Sequence, residues 1–394
     1  MPLSWSTLGS LAGMTDEVGV LSIYVTLDPH ARAESAPRAP WEVRLRKDLG
    51  KVQQQLKEQG PREHYMALGD RIERLRPDLE RLLDPAAPGQ GRAMFATVAG
   101  GRVRTVSLQT PLDDRVVLEP GAFIRPLLTA WSRCGPAGVV AVSADEIRMI
   151  DVRLGWTEEV AAIRPPEHIE QNELKGPAAA NPALSLHSAS QRDLFLRREE
   201  DKLLRFLRTV GPAVTDQARQ REWDQLVVTG EAHLVNAVTE GLPPGWNGEL
   251  VTLSHPVATL TVPKIVATVE QALDEARQRR RRALATRAYE SAMSANAGAW
   301  GLSDTLTALQ QGQVAHLLLA ADGQWPGRRT PDGLFMPDGE VPPGVDADTL
   351  TPEPNLGERM IDLAFNGGAL VTVLEPDDAE VIAGAGGVAA LLRW

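Results

Sequence analysis

The residues best suited to chemistry lie in the segment His187-Ser188-Ala189-Ser190-Gln191. A run of small residues, 176–183, precedes this segment, and a heavily charged helical pattern, 193–209, follows it. We therefore expect a loop over 176–191 that carries the amide of Gln191 to the point where a helix begins. A glutamine amide does not titrate near neutrality, so it can position water but cannot act as a general base. An unpaired backbone N–H at a helix start can donate to a developing oxyanion.

The same residues also match an ordinary helix-capping pattern. Ser188 and Gln191 have the spacing of a capping box, in which the serine bonds forward and the glutamine bonds back. Ser190 and Asp193 offer a second, overlapping cap. A role in capping the helix can therefore explain why a glutamine is at position 191. Both interpretations, a chemical role and a capping role, stay open at this point. His187 can assist electrostatically, although a loop histidine often has no function.

Three regions are expected to position this segment, because 394 residues exceed what one hydrophobic core normally serves. Residues 1–120 combine a strand-like run, two helical stretches and a hairpin. Residues 121–283 place hairpin strands before alternating helices and strands, which is the order of an RNase H-like mixed sheet. Residues 284–394 alternate helix and strand around a long surface insertion, 321–357, which indicates an α/β/α sandwich. The predicted fold class is α/β in the mixed α+β sense, with three domains.

Composition excludes several classes of protein. The single cysteine, Cys134, rules out an internal disulfide framework and a cysteine-based zinc site, and it favours a reducing, cytoplasmic location. No stretch approaches the roughly 20 apolar residues of a membrane span, and the N-terminus lacks a signal-peptide pattern. We find no Gly-rich phosphate loop and no His-Glu metal spacing, so neither a cofactor nor a metal is predicted.

The net charge of −11 is concentrated in one segment. Residues 331–380 hold twelve acidic residues and one basic residue, Arg359, so the rest of the chain is balanced. A local arginine run, 279–282, can therefore bind phosphate while the acidic segment is screened over about 8–10 Å. A solvated helix face is the alternative explanation of that run.

These regions together resemble the archaeal and eukaryotic class-1 peptide-chain release factor superfamily, which includes Pelota and the Vms-type factors. In that superfamily Gly-Gly-Gln opens a helix rich in Arg and Glu, where this chain has Ala189-Ser190-Gln191 followed by Arg192-Asp193. Further similarity lies in Leu226-Val227-Val228-Thr229-Gly230, in 308–314 and in 386–393. The resemblance covers about 121–394, and the N-terminal region only by position.

The resemblance implies a bacterial, ribosome-associated factor that hydrolyses the ester of peptidyl-tRNA. Gln191 would be inserted in the peptidyl-transferase centre with Ala189 and Ser190, supported by His187 and Ser188. The implied partners are rRNA, peptidyl-tRNA and a translational GTPase or splitting factor, and the implied state is a monomer. The residues expected to contact RNA are basic: Arg192, Arg198, Lys202, Arg205, Arg279, Arg280, Arg281 and Arg282.

Two departures from the superfamily leave the activity open. Ala189 and Ser190 lack the backbone freedom of the paired glycines. The N-terminal region also lacks the Asn-Ile-Lys-Ser signature of stop-codon reading, which favours rescue of stalled ribosomes over codon-dependent termination. The alternative function is a catalytically silent adaptor that binds the ribosome or RNA. A nuclease is disfavoured because Asp145, Glu146 and Asp151 do not form a convincing two-metal carboxylate set.

Overall fold

The structure of the protein is a computed structural model that divides into two compact units. It describes residues 3–27, 39–166, 185–244, 246, 248–294, 297–341 and 345–394, with the backbone alone for 185–195. One unit joins Met1–Cys134 to Gln278–Trp394, and the other is Gly135–Arg277. The predicted domain boundaries at 120 and 283 fall near these divisions and stay a prediction. None of the described helices is both long and apolar enough to cross a membrane.

The N-terminal region forms a four-stranded antiparallel sheet with strand order β3-β2-β1-β4. Its elements are α1 (Trp5–Ala12), β1 (Thr15–Thr26), α2 (Pro40–Gln59), α3 (Arg62–Arg74), α4 (Arg76–Leu82), β2 (Gly91–Thr97), β3 (Val103–Leu108) and β4 (Arg115–Gly121). Leu21, Ile23 and Val25 alternate along β1 and bury one face against leucines of the helices. The second of the two predicted helical stretches, 62–83, is divided into α3 and α4, because Pro77 lacks an N–H and lies in the first turn of α4, which begins at Arg76.

The Gly135–Arg277 unit is built on a five-stranded mixed sheet with strand order β7-β6-β5-β8-β9. Its elements are β5 (Ala137–Val142), β6 (Ile147–Arg153), β7 (Trp156–Ile163), α6 (Ser185–Arg208), α7 (Gly211–Gln220), β8 (Gln225–Gly230), α8 (Ala232–Glu240), β9 (Glu249–Leu253) and the first part of α9 (Val262–Met293). The first three strands form an antiparallel meander, and β8 and β9 run parallel to β5. This is the predicted RNase H-like sheet.

Helices cover both faces of this sheet because successive side chains of each strand point to opposite sides. Val140 and Val142 of β5 pack with apolar residues of α6, α7 and α8. Val139 and Ala141 face the other way, towards Ile265, Val269 and Leu273 on α9. The sheet is therefore buried on both faces, which explains the nearly continuous apolar runs of β5 and β8.

The C-terminal region is a sandwich around a second mixed sheet with strand order β10-β16-β11-β15. Its elements are α5 (Arg125–Cys134), β10 (Gly298–Trp300), α10 (Leu302–Gln310), β11 (Val314–Ala320), α11 (Leu356–Asn366), β15 (Leu370–Leu374), α12 (Pro376–Ala379) and β16 (Val388–Leu392). Leu318 and Ala320 pack with Ala285 and Ala288 of α9 on one face. Helices α10 and α11 contact the sheet as well. The predicted fold class is confirmed.

The predicted surface insertion, 321–357, contains a small antiparallel sheet of its own. Its strands are β12 (Gly327–Arg329), β13 (Phe335–Pro337) and β14 (Thr351–Glu353), with β12 in the centre. Trp325 anchors the segment, because its indole N–H donates to the Gly386 carbonyl at 2.9 Å. The segment was predicted as irregular because each strand is too short to show an alternating pattern.

Candidate functional site

The segment 187–191, which the sequence singled out, lies on helix α6. This helix begins earlier than the sequence predicted. Helix α6 starts at Ser185, eight residues before the predicted start at Asp193. Gln191 is therefore inside the helix, where its backbone N–H is committed to the carbonyl of residue 187. Gln191 was predicted to lie at the start of the helix, and this prediction is wrong. The prediction that Ser188 or Ser190 caps the helix is wrong for the same reason. The part of the expected loop over 176–184 lies outside the described residues.

The reason for the longer helix is the composition of its first turns. Pro182 is the last helix-breaking residue before Ser185, and no glycine follows until Gly211. Ala189 is the best helix former, and serine costs a helix less than glycine does. The Ala189-Ser190 pair thus favours continuation of the helix, whereas two glycines would weaken it.

The C-terminal end of α6 is anchored by close packing. Leu203, Leu204 and Leu207 contribute to the core with α7 and α8. A Cβ on Gly211 would lie 1.8 Å from the carbonyl oxygen of Gly241, and one on Gly241 would lie 2.1 Å from that of Arg208. These two glycines allow the end of α6 and the start of α7 to touch the end of α8. The packing role of these two glycines was not predicted, although a glycine near the end of a helix is a recognisable signal.

The described side chains of α6 that precede Leu203 are far less buried than its anchored end. Leu196 is 56% exposed, and Asp201 and Lys202 are exposed as well. At a rise of about 1.5 Å per residue, Gln191 lies about 18 Å along the helix before Leu203. The backbone position of Gln191 is thus well separated from the anchored core.

Three cations form one exposed face of α6, which we call the basic face: Arg198, Lys202 and Arg205. They follow Gln191 by 7, 11 and 14 residues, so at about 100° per residue all four positions share one side of the helix. The position of His187, four residues before Gln191, lies on this side too. Arg192 does not, because six residues place it about 120° around the axis from Arg198. The predicted contact of Arg192 with RNA stays a prediction.

Acidic neighbours neutralise the basic face only in part. Lys202 Nζ lies 3.1 Å from Glu199 Oε1, an exposed pair of the kind that contributes little to stability. Among the described residues, no ion pair joins Arg198 or Arg205 to a carboxylate. These two guanidinium groups are exposed, as contact with a phosphate backbone requires.

The arginine run at 279–282 is divided between the surface and the interior. Arg281 is 7% exposed; its Nε donates to Asp378 Oδ2 at 2.6 Å and its Nη1 to the Ser132 carbonyl at 3.1 Å. This burial removes Arg281 from the predicted RNA contacts. Arg282 is exposed but also bonds Asp378, at 3.1 Å. Arg279 is exposed and Arg280 half-buried, and their role in RNA binding stays a prediction.

Many carboxylates of the acidic segment 331–380 have internal partners. Asp378 is 1% exposed and holds Arg281 and Arg282. Glu358, also 1% exposed, accepts from the Ile124 N–H at 3.1 Å and from Arg125 Nε at 3.2 Å. Burial raises the pKa of Glu358, and Arg125 opposes that rise. Part of the negative charge is therefore structural.

The described residues contain no cluster that fits metal chemistry. Within that part of the chain, no three His, Cys, Asp or Glu side chains are grouped closely enough to hold a metal ion. Asp151 is buried and accepts from Arg153 Nε at 2.7 Å and from the indole N–H of Trp223. Glu146 pairs with Arg164 at 3.4 Å. This arrangement gives the nuclease hypothesis no support.

The middle of the chain matches a known protein family. Residues 123–273 match the family model of the bacterial archaeo-eukaryotic release factor family 10. This range contains the mixed sheet and helix α6. A search among curated proteins found no significant match.

The search of solved structures matches release factors and their relatives. The archaeal translation termination factor aRF1 is 14% identical over 99% of this chain and 96% of its own, with a TM-score of 0.26. Archaeal Pelota, from a model of its ribosome-bound complex with ABCE1, is 13% identical over 100% and 95%, with a TM-score of 0.42. Dom34 of S. cerevisiae is 10% identical over 77% and 80%, with a TM-score of 0.42.

The family match over residues 123–273 agrees with the resemblance to release factors seen in the sequence, and it covers less than half of the chain. The equivalence of Ala189-Ser190-Gln191 to Gly-Gly-Gln stays a prediction.

Proposed function

We propose that this protein is a ribosome-associated release or rescue factor that promotes hydrolysis of peptidyl-tRNA through Gln191. The observation that supports the proposal best is the position of Gln191 on α6. The helix is anchored in a release-factor-family domain, and Gln191 lies about 18 Å before the anchored residues, on the side of the basic face. The basic face would contact rRNA or tRNA phosphates while the start of α6 enters the peptidyl-transferase centre.

The reaction needs no catalytic triad from this chain. Water attacks the ester carbonyl, negative charge develops on the carbonyl oxygen, and the terminal ribose hydroxyl leaves. The Gln191 amide can orient the water and exclude other nucleophiles, while the ribosome supplies the remaining surroundings. Loss of a single oxyanion donor in other enzymes costs about 3–4 kcal/mol of barrier.

The helical start of α6 adds a conformational step to this mechanism. In the helix, the backbone N–H of Gln191 is already bonded and cannot donate to the oxyanion. That donation requires the first turns of α6 to open on the ribosome. A contribution from the Gln191 side-chain amide requires no such opening, because that amide takes no part in the backbone hydrogen bonds of the helix.

A silent adaptor is the second candidate, and the continuous helix from Ser185 favours it. If Ala189 and Ser190 keep the first turns closed, Gln191 never presents its backbone to the ester. The protein would then bind the ribosome through the basic face without hydrolysis. A translational GTPase or splitting factor remains a proposed partner in either case.

Release of labelled peptide from purified stalled ribosome complexes separates the two candidates. We expect release by the wild-type protein and a loss of about a hundredfold for Gln191→Ala, because the variant removes the side-chain amide that orients the water while it keeps the backbone N–H; loss of one side-chain amide donor in other enzymes has about this effect. Asp201→Ala, an exposed change on the same helix, is the matched control and should release normally.

Two results would decide against Gln191. Equal, measurable release by wild type and Gln191→Ala would exclude it from the chemistry. Absence of release by the wild type, together with ribosome co-sedimentation that survives physiological salt, would identify an adaptor. Absence of both would contradict any role on the ribosome.

A further inference from the structure

A cluster of charged side chains joins the N-terminal sheet to helix α11, and it contains more carboxyls than cations. We call it the Arg359 cluster, and its members are Glu119 of β4, Arg125 of α5, Glu353 of β14, and Glu358, Arg359 and Asp362 of α11. All of them belong to the unit formed by Met1–Cys134 and Gln278–Trp394. Full ionisation would leave an excess of negative charge in a poorly hydrated place, which is costly.

Two hydrogen bonds of the cluster hold the end of β4 against α11. Asn355, the residue before α11, donates from Nδ2 to Glu119 Oε1. The Ile124 N–H, just beyond β4, donates to Glu358 Oε2 at 3.1 Å. The partners lie 236 and 234 residues apart along the chain, so the cluster is part of the contact between the N-terminal and C-terminal regions.

Arg359 lies at the centre of the cluster and is incompletely hydrogen-bonded. Gly121, the last residue of β4, packs against it, because a Cβ at Gly121 would lie 3.3 Å from Arg359 Nη1 and 3.5 Å from Asp362 Oδ2. Arg359 Nη1 donates to Asp362 Oδ2 at 2.7 Å, and its Nε lies 3.9 Å from Glu353 Oε1. Its Nε and Nη2 have no hydrogen-bond partner among the described residues. Separation of β4 from α11 therefore breaks few hydrogen bonds, as expected of a contact that opens locally.

A cleft of about 720 Å³ lies beside this contact and connects the cluster to water. Pro120 at the end of β4, Glu353 and Arg359 are among the residues that line it. The side chain of Glu353 is 12% exposed, and that of Asp362 is 17% exposed. A proton can therefore pass between the cluster and water while the protein stays folded.

The ionisable groups around the cluster do little to offset its excess of carboxyls. Helices α1 and α10 and strands β11 and β15 pack on α11, and their ionisable residues are Asp304 and His316. Asp304 is exposed, and His316 is neutral near pH 7 because burial lowers its pKa to about 4. Tyr24 of β1 stays protonated because burial raises its pKa. The cleft adds three charged residues: Asp16, Glu17 and Arg329. Asp16 accepts four backbone N–H groups, and Glu17 and Arg329 are exposed and opposite in sign.

We propose that the Arg359 cluster makes the contact between β4 and α11 depend on pH: it holds one proton while the contact is closed and releases it when the contact opens. Burial raises the pKa of Asp362 from 3.8 to about 7, although Arg359 opposes the rise, and burial also raises the pKa of Glu119. Because these carboxyls belong to one cluster, the proton is shared and is not fixed on a single oxygen. The closed form binds more protons than the open form, so acid favours closure, and this advantage is lost as pH rises from about 4 to 7. The inference does not depend on the proposed function.

Hydrogen exchange of the full-length protein, corrected for the intrinsic effect of pH on exchange, tests the proposal. The amides of 119–125 and 355–362 report on the contact. With a pKa of about 7 in the closed form and 3.8 in the open form, their protection should fall about eightfold between about pH 6 and 7.5. The amides of β8, 225–230, belong to the other unit and should keep their protection.

Glu119→Gln combined with Asp362→Asn is the informative variant, since both amides keep the side-chain shape and an acceptor oxygen but cannot ionise. Protection of 119–125 and 355–362 in this variant should change by less than about twofold over the same range of pH. Asp332→Asn, an exposed change in the insertion but not at the cleft, is the control and should keep the eightfold dependence of the wild type.

Three results would overturn the proposal. The first is that protection of 119–125 and 355–362 in the wild type does not change with pH. The second is that 225–230 loses protection by the same factor, since the opening would then be global and not confined to this contact. The third is that the double variant keeps the full dependence on pH.

Discussion

Restoring glycine at positions 189 and 190 tests whether the helical start of α6 limits release. Ala189→Gly costs a helix interior about 1 kcal/mol and Ser190→Gly about 0.5 kcal/mol. Together, about 1.5 kcal/mol corresponds to a roughly tenfold larger fraction of molecules with the first turns of α6 open. If hydrolysis uses the open form, the double variant should release peptide up to about ten times faster than the wild type.

The assay combines single-turnover peptide release with hydrogen exchange of the amides at 185–192. Exchange should accelerate by about the same factor of ten as release, because both follow the open fraction. The exchanged pair Ala189→Ser with Ser190→Ala keeps the composition and the helix propensity, so it should behave as wild type. Adding Gln191→Ala to the double-glycine variant should lower release, but the roughly tenfold gain relative to Gln191→Ala alone should persist, because alanine keeps the backbone N–H. Faster exchange with unchanged or slower release would refute the reasoning, since an open helix start would then be irrelevant to hydrolysis.

Three further predictions address the surface, the anchor of α6 and the buried acid. Replacing all three residues of the basic face by alanine should make ribosome binding less sensitive to salt. The slope of log affinity against log salt should fall in magnitude by about 0.7–0.9 for each lost phosphate contact. Arg197→Ala, on another side of α6, is the control and should change the slope less. Gly211→Ala should destabilise the protein by about 3 kcal/mol in urea unfolding, because its Cβ would meet the Gly241 carbonyl, whereas Gly69→Ala, with open space around its Cβ, should not destabilise it. The pKa of Asp362 rises from 3.8 to about 7 on folding, so the folded state binds more protons and stability should fall by up to about 4 kcal/mol as pH rises from about 4 to 7. Asp362→Asn should flatten that pH profile, and exposed Asp322→Asn should not; an unchanged profile in Asp362→Asn would contradict the pKa shift.

Most regular elements could be predicted because their patterns are local. Strand β11 and helices α8 and α11 have the predicted bounds, since apolar spacing and a glycine after each helix indicate where they stop. Short strands such as β12–β14 were not predicted, because three residues are too few for a period. Helix α1, with Ser4 bonded to the Thr7 N–H, was missed although its cap is visible in the sequence.

The candidate site was predicted less completely than the fold. The positions of Arg198, Lys202 and Arg205 on one exposed side of a helix follow from periodicity. The start of that helix was misplaced, because the serines of 188–190 fit a cap and a helix interior equally well. Among the four neighbouring arginines of the run, sequence could not show that Arg281 is buried, since its partner Asp378 lies 97 residues away.

By itself the sequence determined the mixed fold class and the RNase H-like order of the middle elements, and it indicated the resemblance to release factors with which the family match over residues 123–273 agrees. These depend on hydrophobic period and on the order of motifs, both of which are written along the chain. Only the tertiary structure decided which charged side chains are exposed and which are buried in ion pairs. Arg281 and Asp378 neutralise each other in the interior, and Arg359 is buried in ion pairs with Glu353 and Asp362. The physical reason is that burial and pairing depend on residues brought together by folding, and no local pattern records those neighbours.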